Sequence, residues 1–382
     1  MVDDVHIAGV MLAKEADARR GELDRERRVP ADLFQRAGHA GLFRQLVCAE
    51  LGGLGRSPAE WFETGVEMAR WEPSFAWIVT QGAGDMAIYV AAGAPAFTSA
   101  FLTDRAAYIA SSDSSAGKLA PEGDGFRFEG RWGFCSGCQG ATWVGGLAEL
   151  PVENGAAEPD WRHVLVPIER ARIDETWDVM GMIGTGSHTV VVEPQSIPAD
   201  WTFEIKKMGQ NDYGQMSVAV GSGFWPIATA VAAVQLGTSR RALDAASDLV
   251  KKKAGALRTR PLVENAHVQQ QLMRAEGAWS ACYAGVEKAL TQMWRHAEQN
   301  RRLPIEIRTA LLSANAYASA TAIEIIDSVC EIVGTSVAPA RGIFGACLRD
   351  ARTIGSHVSV GGAMLELAAQ LRFGLIQDSI WV

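Results

Sequence analysis

Apolar and polar positions change their spacing twice along the chain, and the two changes divide it into three parts. Over residues 1–108 apolar positions recur three and four apart, the period of helices with one buried face. Pro30 reads as a first-turn proline followed by the stripe Leu33, Phe34 and Ala37. Ser57-Pro58-Ala59-Glu60 combines an N-cap, a first-turn proline and an N3 glutamate. This capping box predicts a helix running through Trp61, Gly65, Met68 and Ala69. Glu50-Leu51-Gly52-Gly53-Leu54-Gly55 reads as the turn before it.

Over residues 109–210 the pattern becomes short β-branched and aromatic runs, such as Phe126-Arg127-Phe128, Val164-Leu165-Val166 and Thr189-Val190-Val191-Val192. Gly, Pro and Asp-Gly turns separate them. They predict an antiparallel β-domain of about six to eight strands, most simply a barrel or sandwich.

Over residues 211–382 the helical period returns in longer segments. Leu236, Ser239, Leu243, Ala246 and Val250 form one stripe. Val268, Leu272, Ala275, Trp279, Cys282, Val286, Leu290, Met293 and Ala297 form a second, cleaner one. Ile307–Ile332 reads as a third helix and Arg352 to about Gln377 as a fourth, with 333–350 as an unpatterned linker. The expected architecture is α+β: an N-terminal helical domain, a central antiparallel β-barrel and a C-terminal four-helix bundle.

Composition narrows the function classes. The formal net charge is −8, from 36 Lys+Arg against 44 Asp+Glu, and no dense basic stripe offers a nucleic-acid surface. Six cysteines in 382 residues are too few for a disulfide-built fold, and residues 1–30 lack an apolar leader, so the expected compartment is the cytoplasm. The stretch between Asp212 and Arg240 is uncharged and long enough to span a bilayer. It carries Gln215, Ser217, Gly221, Pro226 and Gln235, which favour a buried core helix over a membrane span. No P-loop, GxGxxG, GxSxG or HExxH is present. Cys135 and Cys138 lack a second pair, so no metal site is expected, and packing is the plainer reading. His39, His163, His188 and His296 read as surface or packing residues.

Four segments carry a family resemblance. They are Glu50-Leu51-Gly52-Gly53-Leu54-Gly55-Arg56-Ser57, Ser111-Ser112-Asp113-Ser114-Ser115-Ala116-Gly117, Gly130-Arg131-Trp132-Gly133-Phe134-Cys135-Ser136-Gly137-Cys138 and Arg349-Asp350-Ala351-Arg352. Together they resemble the acyl-CoA dehydrogenase superfamily. The match is closer to its branch of reduced-flavin-dependent, two-component aromatic monooxygenases (hydroxylases). Where many dehydrogenases of the family place a catalytic glutamate, this chain has Val358, with His357 just before it. Valine cannot abstract a proton, and the monooxygenase branch characteristically has a histidine in this segment.

The resemblance implies an oxygenase component that hydroxylates a small aromatic or polycyclic compound with O2 through a flavin C4a-hydroperoxide. Reduced FMN or FAD would come from a separate NAD(P)H:flavin reductase. It also implies a homotetramer, with no nucleic-acid or membrane partner. Among catalytic residues, Ser136 is similar to a serine at flavin N5. His357 would take or steady a substrate proton, and Ser112 or Ser111 would reach the pocket.

Trp132 and Phe134, on one strand face by alternation, would wall the flavin ring. Arg240 and Arg258 would contact its phosphate or a substrate anion, and Arg349–Asp350 would be a structural ion pair. Trp71, Phe75, Trp77, Met86, Tyr89 and Phe224 are bulky enough to line the substrate pocket. Two alternatives are an acyl-CoA dehydrogenase-like flavin dehydrogenase or oxidase with an atypical base, and a non-catalytic helical binding protein on the same fold.

Overall fold

The computed structural model describes residues 4–93, 98, 102–151, 160–205, 213–254, 260–299, 302–379 and 381. Helices open the chain: α1 (Asp4–Ala18), α2 (Arg20–Glu26), α3 (Ala31–His39), α4 (Pro58–Ala69) and α5 (Pro73–Ala92). The capping box of α4 forms as predicted. Ser57 Oγ accepts the Glu60 N–H, and the Glu60 carboxylate accepts the Ser57 N–H at 2.9 Å. Such a cap contributes about 1 kcal/mol. Helix α5 is buried on almost every face, so its polar residues are held inside the protein. Its N-cap is Glu72, whose carboxylate accepts the Phe75 N–H at 2.6 Å.

The central part is a seven-stranded sheet: β1 (Ile109–Glu122), β2 (Gly125–Cys135), β3 (Trp143–Leu150), β4 (Asp160–Pro167), β5 (Arg172–Asp174), β6 (His188–Pro198) and β7 (Thr202–Glu204). The order is β5-β6-β2-β1-β3-β4-β7. Here the expected antiparallel barrel needs correcting. The chain leaves β2 through a short 3-10 turn, crosses over, and pairs β3 parallel to β1. The sheet is therefore mixed. Its outer strands β5 and β7 are three residues each and pair only inward, so the described sheet is open.

The second helical part holds α6 (Gln215–Val220), α7 (Trp225–Lys252), α8 (Ala266–Ala297), α9 (Ile305–Val333), α10 (Ile343–Ile354) and α11 (Gly362–Arg372). Helices α7, α8, α9 and α10 make the bundle, with α7 also packed on α4 and α5. The uncharged first half of α7 is buried among them, and no helix of the described residues is long and apolar enough to cross a membrane. The fourth helix needs correction. Helix α10 begins inside the supposed linker and ends at Ile354, and Gly355–Gly361 interrupts the predicted helix before α11. At Gly355 the chain passes so close to α7 that a Cβ would sit 2.5 Å from Gln235 Nε2.

Candidate active site

A cavity of about 1020 Å³ lies where the three parts meet. Helix α5, the starts of β1 and α7, the end of β2, residues 177–187, α9 and the α10–α11 break all contribute to its wall. Phe134, Met180 and Val358 line it yet remain more than half exposed, so they mark its mouth.

Trp77 on α5 ties together two residues distant in sequence. Its indole N–H donates to Ser136 Oγ at 3.0 Å, and its ring lies 5.5 Å from the His357 ring. Ser136 follows β2, where Gly137 adopts φ +72° and turns the chain away, leaving the serine on the cavity wall. The surrounding hydroxyls have a fixed direction. Thr185 donates to the Met182 carbonyl at 2.8 Å, so Ser187 must donate to Thr185 at 2.7 Å. Ser136 must then donate to Ser187 at 2.8 Å. With its proton spent and one lone pair filled by Trp77, Ser136 has only an acceptor left for a ligand.

His357 occupies the break between α10 and α11. Its Nδ1 accepts the Ser359 N–H at 3.2 Å, which places the ring proton of the neutral form on Nε2. Burial pushes its pKa down to about 4, so it is a neutral donor at neutral pH. Val358, where the resemblance would have put a glutamate, lines the mouth. Ser112 also reaches the cavity, its Oγ accepting the Ser114 N–H at 3.2 Å.

The structure brings Ser136, His357, Ser112 and Phe134 into one cavity, and leaves Trp132 and Arg240 elsewhere. Trp132 is fully buried, stacked on Phe128 at 5.5 Å over the backbone of Gly146, and donates to the Leu147 carbonyl at 3.1 Å. Strand alternation fails between 132 and 134 because the register with β6 shifts there and Phe134 adopts φ +61°. That turn sends Phe134 to the mouth, edge-on to Trp177 at 6.0 Å. Arg240 is held within the bundle, bidentate to Glu276 at 2.6 and 2.7 Å and bonded to Asp244 at 2.9 Å. Arg258 lies outside the described residues.

Of the bulky pocket candidates, Trp77, Tyr89 and Phe224 line the cavity, whereas Trp71, Phe75 and Met86 do not. The cysteines of the CxxC stay unpaired. Their thiols donate to the Trp132 and Gly186 carbonyls at 3.5 Å, and burial pushes Cys138 up to about 12. Arg349 and Asp350 do not pair with each other. Asp350 is buried, bonds Arg20 and accepts the Met182 N–H at 2.7 Å, while Arg349 donates to the Ala340 carbonyl at 2.8 Å. Asp350 therefore fixes the 177–187 wall against α10.

Sequence reasoning named Tyr89 and Ser111 for the pocket but missed Gln81 and Asp85, which join them in a buried polar group of the cavity wall. Gln81, Asp85 and Tyr89 stand four apart on α5 and so share a side of the helix. Ser111 Oγ donates to Asp85 Oδ2 at 2.7 Å, and the Gln81 amide donates to the same oxygen. Burial pushes the Asp85 pKa up to about 8. The Tyr89 hydroxyl lies 2.9 Å from His163 Nδ1, and burial keeps that histidine neutral. The available signal was a polar stripe, four residues apart, on an otherwise apolar helix.

Helical ends around a central sheet, with a deep cavity at their junction lined by hydroxyls and aromatics, define the class of molecule. Two family models match the chain: the acyl-CoA dehydrogenase N-terminal domain over residues 8–107 and the C-terminal domain over residues 229–361. The chain belongs to the acyl-CoA dehydrogenase superfamily. It is 28% identical over 370 residues to an indole-3-acetate monooxygenase of Pseudomonas putida, covering 94% of this chain and 90% of that protein. It is 27% identical over 375 residues to the oxygenase component of an FADH2-dependent resorcinol hydroxylase of Rhizobium sp., covering 93% and 89%. Its fold matches the crystal structure of 3-HSA hydroxylase from Rhodococcus sp. RHA1 with TM-score 0.89 at 21% identity, covering 100% and 99% of the two chains.

Proposed function

We propose that the chain is the oxygenase component of a two-component, flavin-dependent monooxygenase that hydroxylates a small aromatic or polycyclic compound with O2. Reduced flavin, FMN or FAD, when bound activates dioxygen for transfer of one oxygen atom to the ring. The observation that carries this reading is the direction of the hydroxyl chain at Ser136. The lone pair left on that serine suits a ring that offers an N–H, as reduced flavin does at N5, and gives nothing to the bare N5 of the oxidised form.

The residues present fit the group. Phe134 and Trp177 supply an aromatic wall at the mouth, and His357, near Trp77 as Ser136 is, supplies a neutral N–H donor to the same cavity. Apolar lining excludes bulk water, which strengthens each of these hydrogen bonds. His357 acts in this account as a neutral donor that steadies negative charge, and Asp85 keeps its own proton at neutral pH.

A separate NAD(P)H:flavin reductase supplies the reduced flavin, a reading supported by the relative named as an oxygenase component. The family resemblance supports a homotetramer, and six unpaired cysteines support a reducing compartment, the cytoplasm. The test is a turnover under ¹⁸O2 with enzymatically reduced FMN or FAD and an indole or phenol. One labelled oxygen in the product is expected. Label from water, or flavin reduction by an acyl thioester, would contradict the reading.

A further inference from the structure

The inner end of the cavity is rich in acceptors. Asp85 is 4% exposed, and one of its oxygens receives both Ser111 and Gln81. Gln81 is 5% exposed, and its Oε1 is a buried acceptor with no hydrogen-bond partner. The neighbouring acid is Asp113 on β1, whose Oδ1 stands 3.6 Å from the buried His163 Nε2. The two arginines in the cavity wall are committed elsewhere. Arg308 binds Asp378 at 2.9 Å and Arg352 binds Asp327 at 2.6 Å. A buried carboxyl and an unpartnered amide oxygen cost free energy unless a ligand brings donors to them.

We propose that Asp85, with Gln81 and Ser111 beside it, is the subsite for the substrate's own hydrogen-bond donor, an N–H or O–H on the aromatic ring edge. The substrate class is then a neutral or cationic aromatic carrying such a donor, without a carboxylate at that edge. This subsite rests on the oxygenase reading for its place in a reaction. Its chemistry is read from the acceptors alone. The substrate's donor stays protonated in this contact: it hydrogen-bonds to the unpartnered Gln81 Oε1 and the Asp85 carboxyl, and no bond to it is broken. A carboxylate beside the donor would lose its water beside the Asp113 carboxyl, with both arginines of the described wall already paired, and an uncompensated buried charge is costly.

The experiment is calorimetric titration under argon, with and without reduced FMN, using paired probes. Indole is set against benzofuran and indole-2-carboxylate, and 2-naphthol against 2-methylnaphthalene. The donor-bearing member of each pair is expected to bind at least about tenfold tighter, since the other leaves buried acceptors unpaired. Asp85→Leu, similar in size and apolar, is expected to abolish the preference while keeping its affinity for reduced FMN. Equal affinities within each pair, no binding by any probe, or an undiminished preference in Asp85→Leu would overturn the proposal. Because the wild-type pairs decide on their own, a variant that fails to fold does not shield it. Donor preference without reduced-FMN binding would keep the subsite and remove the oxygenase reading. Reduced-FMN binding without donor preference would do the reverse.

Discussion

The folded chain holds the Asp85 proton up to about pH 8, whereas the unfolded chain releases it near 3.8. Across that interval the unfolded state gains on the folded one as pH rises. Gln81 from α5 and Ser111 from β1 hydrogen-bond this carboxyl, and Asp113 on β1, Tyr89 on α5, Tyr108 and Cys135 act on it through space. Asp85→Asn removes the ionisation and keeps the shape, so its melting temperature should gain on wild type progressively between pH 4 and 8. A constant difference would contradict the burial argument. His357 works in the opposite direction, its contribution falling away as pH drops from 6.5 towards 4. Ser187 offers a sharper test of hydrogen-bond direction. Ser187→Ala frees the Ser136 proton for a bare ring nitrogen. Affinity for oxidised FMN should then rise about fivefold, the worth of one neutral hydrogen bond, without a matching rise for reduced FMN. Equal shifts in both redox states would count against the chain of donors.

At the scale of elements, the site depends on two segments that are not regular structure. The wall 177–187 is tied to α10 by Asp350, and at Gly181 a Cβ would sit 2.3 Å from the Arg349 carbonyl oxygen. Gly181→Ala should cost about 1–3 kcal/mol through overpacking. Asp350→Ala should cost about 3 kcal/mol, leaving the Met182 N–H unpaired and Arg20 with Glu72 at 3.9 Å in place of its hydrogen-bonded carboxylate. Urea titrations of both variants check this, and stability within 0.5 kcal/mol of wild type (about the scatter of surface changes) would contradict it. The α10–α11 break explains what was hard to read in the chain. The capping box of α4 and the long stripe of α8 are local signals, and both appear where the spacing put them. The break at Gly355–Gly361 answers to a close approach of α7, which no local pattern encodes. Strand order has the same origin. Alternation says which face a residue takes, not which neighbour its strand finds, so the parallel β1–β3 pair was invisible. Trp132 shows the limit of alternation itself, since the left-handed φ of Phe134 and the register shift beside it part the two side chains.

For the molecule as a whole, the cavity is a product of all three parts, and no one of them closes it. Ser136 comes from the sheet, Trp77 and Asp85 from the first helices, and His357 from the last. That convergence was legible for Ser136, His357, Ser112 and Phe134 because family-like segments carried them. Asp85 was not legible that way, because its meaning depends on burial. The central claim is that this junction receives reduced flavin, with Ser136 and His357 facing it. The most direct measurement is anaerobic titration of the protein with reduced and oxidised FMN and FAD, followed by tryptophan fluorescence. The account predicts saturable binding of a reduced flavin, at least about tenfold tighter than its oxidised form. Folded protein that binds neither reduced flavin, or binds both redox states alike, would contradict it.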